Sequence, residues 1–188
     1  MFNIVKLGKA ENGGFILSTK VLELLESERL FLKPLSFNEL LYIKNNMIKS
    51  IETSIELEAI SDVVKLAISK KIEKMQTVNE DIHDWYTYWL IIDKNNQNGI
   101  GFIGFKGIPD DSGYSEVGYS ISSNYRSKGL MTEALSTLMN WASNFPNCKG
   151  ITATRVLKSN TGSNRVLNNC NFNLVASLSD ENKYVLTF

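Results

Sequence analysis

Apolar and polar positions along the chain change their period several times. The stretch ERLFLKPL (28–35) alternates about Leu30 and Leu32 and ends near a proline, which predicts an edge or terminal strand. Ser36 and Glu39 then stand at S-x-x-E spacing, the mark of a capping box, and predict a helix to about Asn45. A second pair, Thr53 and Glu56, precedes Ile60, Val63, Val64, Ala67, Ile68, Ile72 and Met75. Steps of three and four there predict an amphipathic helix of about five turns. Upstream, GGFILSTK (13–20) reads as a short strand or an N-terminal arm.

The middle of the chain has the period of strands. YWLIID (88–93), GIGFIGFKGI (99–108) and YSEVGYSI (114–121) are separated by the polar turns KNNQN and PDDSG. Three strands joined this closely predict an antiparallel meander. Leu130, Ala134, Leu135, Leu138 and Trp141 then fall on one helical face, GITATRVL (150–157) reads as a strand, and NTGSNRVLNNC (160–170) as a short helix. FNLVASL and KYVLTF close the chain as two more strands. The expected fold is α/β, a mixed and mostly antiparallel central sheet flanked by helices. With 188 residues and no low-complexity linker, a single domain over 1–188 is expected, with 1–27 as an arm or extra strand.

Charge narrows the partners. Twenty basic and twenty acidic residues give a formal net charge of zero, against a general nucleic-acid or membrane-surface binder. One histidine, His83, and two cysteines, Cys148 and Cys170, cannot supply a Cys/His metal site of usual ligand count. No segment reaches the roughly 18–20 apolar residues that span a bilayer, and nothing at the start resembles an export signal. A cytoplasmic protein with free thiols is expected.

The chemistry concentrates at YRSKGLMTEA (125–134), where a strand gives way to a helix. The first amides of a helix have no intrahelical partner, and the dipole adds about half a positive charge there. A bend that aims several such amides at one point makes an anion site. Gly129 lets the backbone approach closely, and Arg126 and Lys128 add positive charge at the rim. A solvated polar loop is the alternative that the local pattern leaves open.

The order of elements and two motifs resemble the GNAT superfamily of acyl-CoA N-acyltransferases, in particular its Rim-type branch of ribosomal-protein N-terminal acetyltransferases. The family loop Arg/Gln-x-x-Gly-x-Gly/Ala stands here as Arg126-Ser127-Lys128-Gly129-Leu130-Met131, followed by Thr132-Glu133-Ala134. A second motif, Asn-x-x-Ser before hydrophobics and Gly-Phe, is matched by Asn160, Ser163, Val166, Leu167 and Phe172. Four positions depart from the pattern. Met131 replaces a small residue, Ser127 stands where many relatives have glycine, Asn171 replaces the glycine before Phe172, and Leu167 falls where many relatives carry a tyrosine thought to protonate the leaving thiolate.

The resemblance implies acetyl-CoA as co-substrate and no metal. Its pyrophosphate would lie on amides of Ser127 to Thr132, with Arg126 and Lys128 assisting, and its pantetheine arm along Tyr119 to Ile121, contacted by Asn160. Transfer would go by direct attack of a primary amine, a protein N-terminus or a small amine. Glu116 is the leading base, against a reading as an ion-paired strand residue. Ser163 is a hydrogen-bond donor to the departing sulfur, against a role as helix cap. Trp85, Tyr86 and Tyr88 are candidate acceptor contacts, against core packing. A homodimer is common among relatives. A non-catalytic acyl-CoA-binding or regulatory module on the same fold is the alternative from another functional class.

Overall fold

The computed structural model of the chain describes residues 24–188, so the expected arm or strand at 13–20 lies outside the described residues. Among them, eight strands form one sheet in the order β1-β2-β3-β4-β5-β6-β8-β7. The strands are β1 (Leu25–Glu26), β2 (Leu30–Pro34), β3 (Trp89–Asp93), β4 (Gly99–Phe105), β5 (Tyr114–Ile121), β6 (Gly150–Leu157), β7 (Asn173–Ser177) and β8 (Glu181–Thr187). All neighbours are antiparallel except β5 and β6, which are parallel. The expected meander is β3-β4-β5. Strand β2 lies inside the sheet, not at its edge: the two-residue β1 covers only Phe31 and Leu32, and Pro34 ends the strand beyond its reach.

Helices α1 (Phe37–Lys44) and α2 (Asp62–Met75) cover one face, and α4 (Leu130–Ser143) and α5 (Thr161–Asn169) the other. A one-turn helix, α3 (His83–Tyr86), leads into β3 and has no counterpart in the sequence reading. The capping box at Ser36 and Glu39 forms as the spacing requires, the Ser36 side chain accepting from Glu39 N–H and the Glu39 carboxylate accepting from Ser36 N–H. The second expected box does not form. Gly99 N–H donates to Ser54 C=O and Glu56 N–H to Gly99 C=O, so residues 54–56 are held extended against β4. A helix cannot begin while those backbone groups serve a strand. It begins at Ser61, whose hydroxyl accepts from Val64 N–H, and the 14 residues of α2 make about four turns instead of five.

The two faces have separate cores. Leu90, Ile92 and Phe102 meet Leu40, Ile43, Ile68 and Ile72 of α1 and α2, while Ile91, Ile103, Phe105 and Val117 meet Leu135, Leu138 and Trp141 of α4. Period-2 alternation in the strands sorts these side chains to opposite sides.

One polar side chain lies inside the α2 packing. Lys71 sits at a buried position of the apolar stripe, and its Nζ donates to Tyr86 C=O at 3.1 Å, Thr87 C=O at 2.9 Å and Phe105 C=O at 2.7 Å. The Tyr88 ring lies 4.4 Å from Nζ. Burial, with the nearby charges of Lys74 and Lys106, pushes this amine down from 10.5 to about 7. The unfolded chain therefore binds one more proton between those values, and stability at this site increases as pH rises from about 7. Replacing Lys71 by Met leaves three carbonyls without this donor. We expect Lys71→Met to cost about 2–4 kcal/mol near neutral pH, measured by urea unfolding, with the loss growing towards alkaline pH. An unchanged midpoint would mean that water satisfies the carbonyls equally well.

Candidate functional site

The parallel pair β5–β6 is short. Tyr114, Ser115 and Glu116 pair with Gly150, Ile151 and Thr152, and there the pairing stops although both strands continue. Strand β6 carries a register shift towards β8 between Ala153 and Val156, with Arg155 at φ 51°. Such a bulge bends the strand that carries it, here away from β5. On its other side β5 stays paired: Lys106 N–H donates to Glu116 C=O, and Ser122 N–H to Ile100 C=O. Even-numbered residues of β5 thus point their backbone at β4. The N–H and C=O groups of Val117, Tyr119 and Ile121 point the other way, into the gap.

A cavity of about 650 Å³ occupies that gap. Tyr119 and Ile121 line one wall, the loop from Tyr125 to Thr132 another, and residues 159–163 with Arg165 and Val166 a third. Two helix N-termini therefore meet here, those of α4 and α5, and both dipoles favour an anion. At the start of α4, Ser127 has φ 60° and Gly129 φ 76°. These two left-handed residues turn the chain sharply enough to bring successive amides to the cavity wall. At Gly129 the conformation is one that glycine alone adopts without cost. At the start of α5, Asn160 Oδ1 accepts from Ser163 N–H at 3.0 Å, which makes Asn160 the N-cap. Arg126 and Arg165 add guanidinium charge from the two sides.

The sequence-based candidates separate cleanly. Tyr119, Ile121, Arg126, Ser127, Gly129, Leu130, Met131, Thr132, Asn160 and Ser163 all line the cavity. Lys128 does not: its carbonyl turns outward and its Nζ lies 5.1 Å from the Tyr125 ring centroid. The Met131 side chain goes into the core, leaving only its backbone free to serve as a small residue would. Leu167 is fully buried. Asn171 takes the left-handed conformation, φ 61°, that the usual glycine would adopt.

Glu116 lies outside the cavity, on the opposite face of β5 from Val117. Its carboxylate accepts from Lys106 Nζ at 2.5 Å and from the Thr154 hydroxyl. Burial raises its pKa, but these hydrogen bonds and the Lys106 charge outweigh burial and bring it below the usual carboxylate value. It is ionised at neutral pH. Beside it, the space in front of Gly118 is open: a methyl group there would meet nothing within 4 Å. Trp85 is absent from the cavity, packed 4.8 Å from Trp141 and 5.0 Å from Phe105 between ring centroids. Tyr88 packs on Phe102 and under Lys71, and Tyr86 beside Gly107. None of the three lines this cavity, and Tyr88 stands beside Gly104, the β4 partner of Gly118.

Some cavity residues escaped the sequence reading. Arg165 lies one helical turn beyond Thr161, a spacing that carries a signal only once α5 is known to point at the gap. The Tyr119 hydroxyl donates to Ser163 C=O at 3.3 Å, and burial first, with the charges of Cys170 and Tyr184, pushes its pKa up despite that hydrogen bond. It therefore stays a protonated phenol. A second hollow, about 700 Å³, lies on the α1–α2 side between Phe31, Lys33, Ile92 and Asn98. Strand and loop side chains form it, whereas the β5–β6 cavity has converging backbone donors, the stronger basis for a specific anion site.

Known proteins agree with this architecture. Residues 52–173 match the profile of the family described as Acetyltransferase (GNAT) domain. The chain is 37% identical over 84 residues to "Uncharacterized N-acetyltransferase YjdG" of Bacillus subtilis, covering 45% of this chain and 49% of that protein. It thus spans about half the length of that relative. Among solved structures, a ribosomal-protein-S5-alanine acetyltransferase from Vibrio fischeri superposes with TM-score 0.60 at 19% identity, over 88% of this chain and 96% of that one. The microcin C7 self-immunity acetyltransferase MccE, in complex with acetyl-CoA and AMP, superposes with TM-score 0.58 at 21% identity, over 86% and 94%. The two motifs, the split sheet and the family match together place this chain in the GNAT acetyltransferase family.

Proposed function

We propose that the protein is an N-acetyltransferase that moves the acetyl group of acetyl-CoA to a primary amine, a protein N-terminus or a small amine. The carrying observation is the cavity at the β5–β6 split, where two helix N-termini and the unpaired edge of β5 converge. Its donors fit the coenzyme: amides and cations for a pyrophosphate, and strand backbone groups for the two amides of a pantetheine arm. When bound, acetyl-CoA supplies an activated thioester. The amides of Ser127 to Thr132, with Arg126 and Arg165, hold the phosphates. Tyr119, Ile121 and Asn160 orient the pantetheine arm, and the Val117 amide polarises the thioester carbonyl; one such donor is worth about 3–4 kcal/mol elsewhere.

The acceptor would approach from the α1–α2 face, through the space at Gly118 and beside Glu116. A free amine is protonated at neutral pH and must lose a proton to attack. The ionised Glu116 draws the ammonium to the split and takes that proton. Its ion pair with Lys106 weakens it as a base, so the transfer runs best through water. Ser163 and the phenol of Tyr119 are the hydroxyls near the departing sulfur. The likeness to a ribosomal-protein-S5-alanine acetyltransferase favours testing peptides first.

The proposal generates three measurements. Gly129→Glu forces a side chain onto a backbone at φ 76°, with its Cβ 3.5 Å from Arg29 Nη2, and so displaces the phosphate-binding amides; it should raise the CoA dissociation constant at least about a hundredfold in calorimetry while the fold is retained. Unchanged affinity would remove the cavity as the coenzyme site. Gly118→Val should raise the amine KM severalfold and leave CoA affinity unchanged, since it fills only the opposite face; equal loss for both ligands would place the acceptor elsewhere. Glu116→Gln should lower kcat/KM about tenfold or more and flatten the acidic limb of the pH profile. A loss below about threefold would end its role as the base. Tight CoA binding without turnover on any amine or peptide would leave a non-catalytic acyl-CoA-binding module.

A further inference from the structure

Glu133, in the first turn of α4, points away from the cavity and accepts three hydrogen bonds from the turn between β1 and β2. Ser27 Oγ donates to Oε1 at 2.8 Å, Arg29 N–H to Oε1 at 2.7 Å, and Arg29 Nε to Oε2 at 2.7 Å. The guanidinium so held reaches the cavity loop from behind, its Nη1 donating to Lys128 C=O at 3.0 Å. Its Nη2 lies 3.5 Å from where a Cβ on Gly129 would sit. Arg29 is not part of the cavity wall, whereas Gly129, which has only backbone to offer, is.

The peptide plane makes this contact consequential. Lys128 C=O and Gly129 N–H belong to one trans peptide unit and point in opposite directions. Fixing the carbonyl outward on Arg29 therefore fixes the amide inward. The flanking residues cannot do so alone. Ser127 and Gly129 both sit at positive φ, and a glycine beside a peptide lets that peptide rotate at little cost.

We propose that Arg29 is a positioning residue for the coenzyme loop: clamped by Glu133, it locks the Lys128–Gly129 peptide so that the Gly129 amide faces the pyrophosphate. It also neutralises a carboxylate that would otherwise stand uncompensated beside an anion site. With 42% of its side chain exposed, Arg29 contributes little to global stability. Its effect is on binding. The inference rests on the cavity being the CoA site, which CoA calorimetry on the unaltered protein and on Arg165→Gln, a cavity residue away from Arg29, decides separately.

The test compares Arg29→Gln, Glu133→Gln and the double variant, using CoA, 3′-dephospho-CoA and phosphate-free S-acetylpantetheine. Arg29→Gln should weaken CoA and dephospho-CoA alike, by about 10- to 30-fold, with kcat at saturating acetyl-CoA and KM for acetylpantetheine both within about twofold of wild type. The double variant should recover part of the loss, because the bare carboxylate is gone. Equal loss with acetylpantetheine would overturn the proposal by making the effect general distortion. Loss with CoA but not dephospho-CoA would overturn it by assigning Arg29 to the terminal phosphate. Affinity within twofold of wild type for every donor would overturn it outright.

Discussion

Everything functional in this fold depends on one failure of pairing. Strands β5 and β6 share three residue pairs and then part, so a sheet that is otherwise continuous opens in its middle. Backbone groups in a protein interior must find partners, because leaving one unmade costs about 1–3 kcal/mol. Tyr119 and Ile121, whose unpaired backbone groups face the split, line the cavity and are left to pair with what it holds. The bulge at Arg155 on β6, the left-handed turn at Ser127 and Gly129, and the Asn160 cap all lie at the rim of this opening. Each is a place where the chain departs from regular structure, and together they surround the split.

Much of this was legible in the sequence, and the particular residues explain why. Strands β5 and β6 match their expected limits because alternation runs through both and a glycine, Gly113 or Gly150, marks the start of each. The Ser36 cap was readable because both of its partners lie within one turn. Thr53 and Glu56 show the same spacing, yet their segment was taken by Gly99, a contact 43 to 45 residues away in the chain that no local pattern encodes. The loop 126–132 was legible because backbone geometry writes itself into glycine placement and motif spacing. Arg29 and Arg165 were not, since their value comes from where helices α4 and α5 aim. Lys128 sits in the same loop and looks equivalent to Arg126 on paper, but only Arg126 lines the cavity, while the Lys128 amine lies over the Tyr125 ring.

The sheet also divides the chemistry between its faces. The α4–α5 side carries amide donors and two arginines; the β5 face beyond it carries an ionised Glu116 and open space at Gly118. Cavity-facing cations and a lysine-paired carboxylate are thereby set on opposite faces of the sheet. A chain of zero net charge achieves this by placement alone. The buried Lys71 supports the arrangement from below, since its three carbonyls belong to the segments that enter β3 and leave β4.

An unpaired strand edge is ordinarily a hazard, because any extended chain can add to it and begin aggregation. The edge of β5 is exposed only as the floor of a cleft, with β6 still attached at one end and the 125–132 loop across the other. A second protein chain would need room on both sides for its own side chains. A pantetheine arm has amides at strand-like spacing but no side chains to accommodate. Closing the split at one end therefore works as a sieve, turning a general tendency to recruit strands into selection for a thin, amide-bearing ligand.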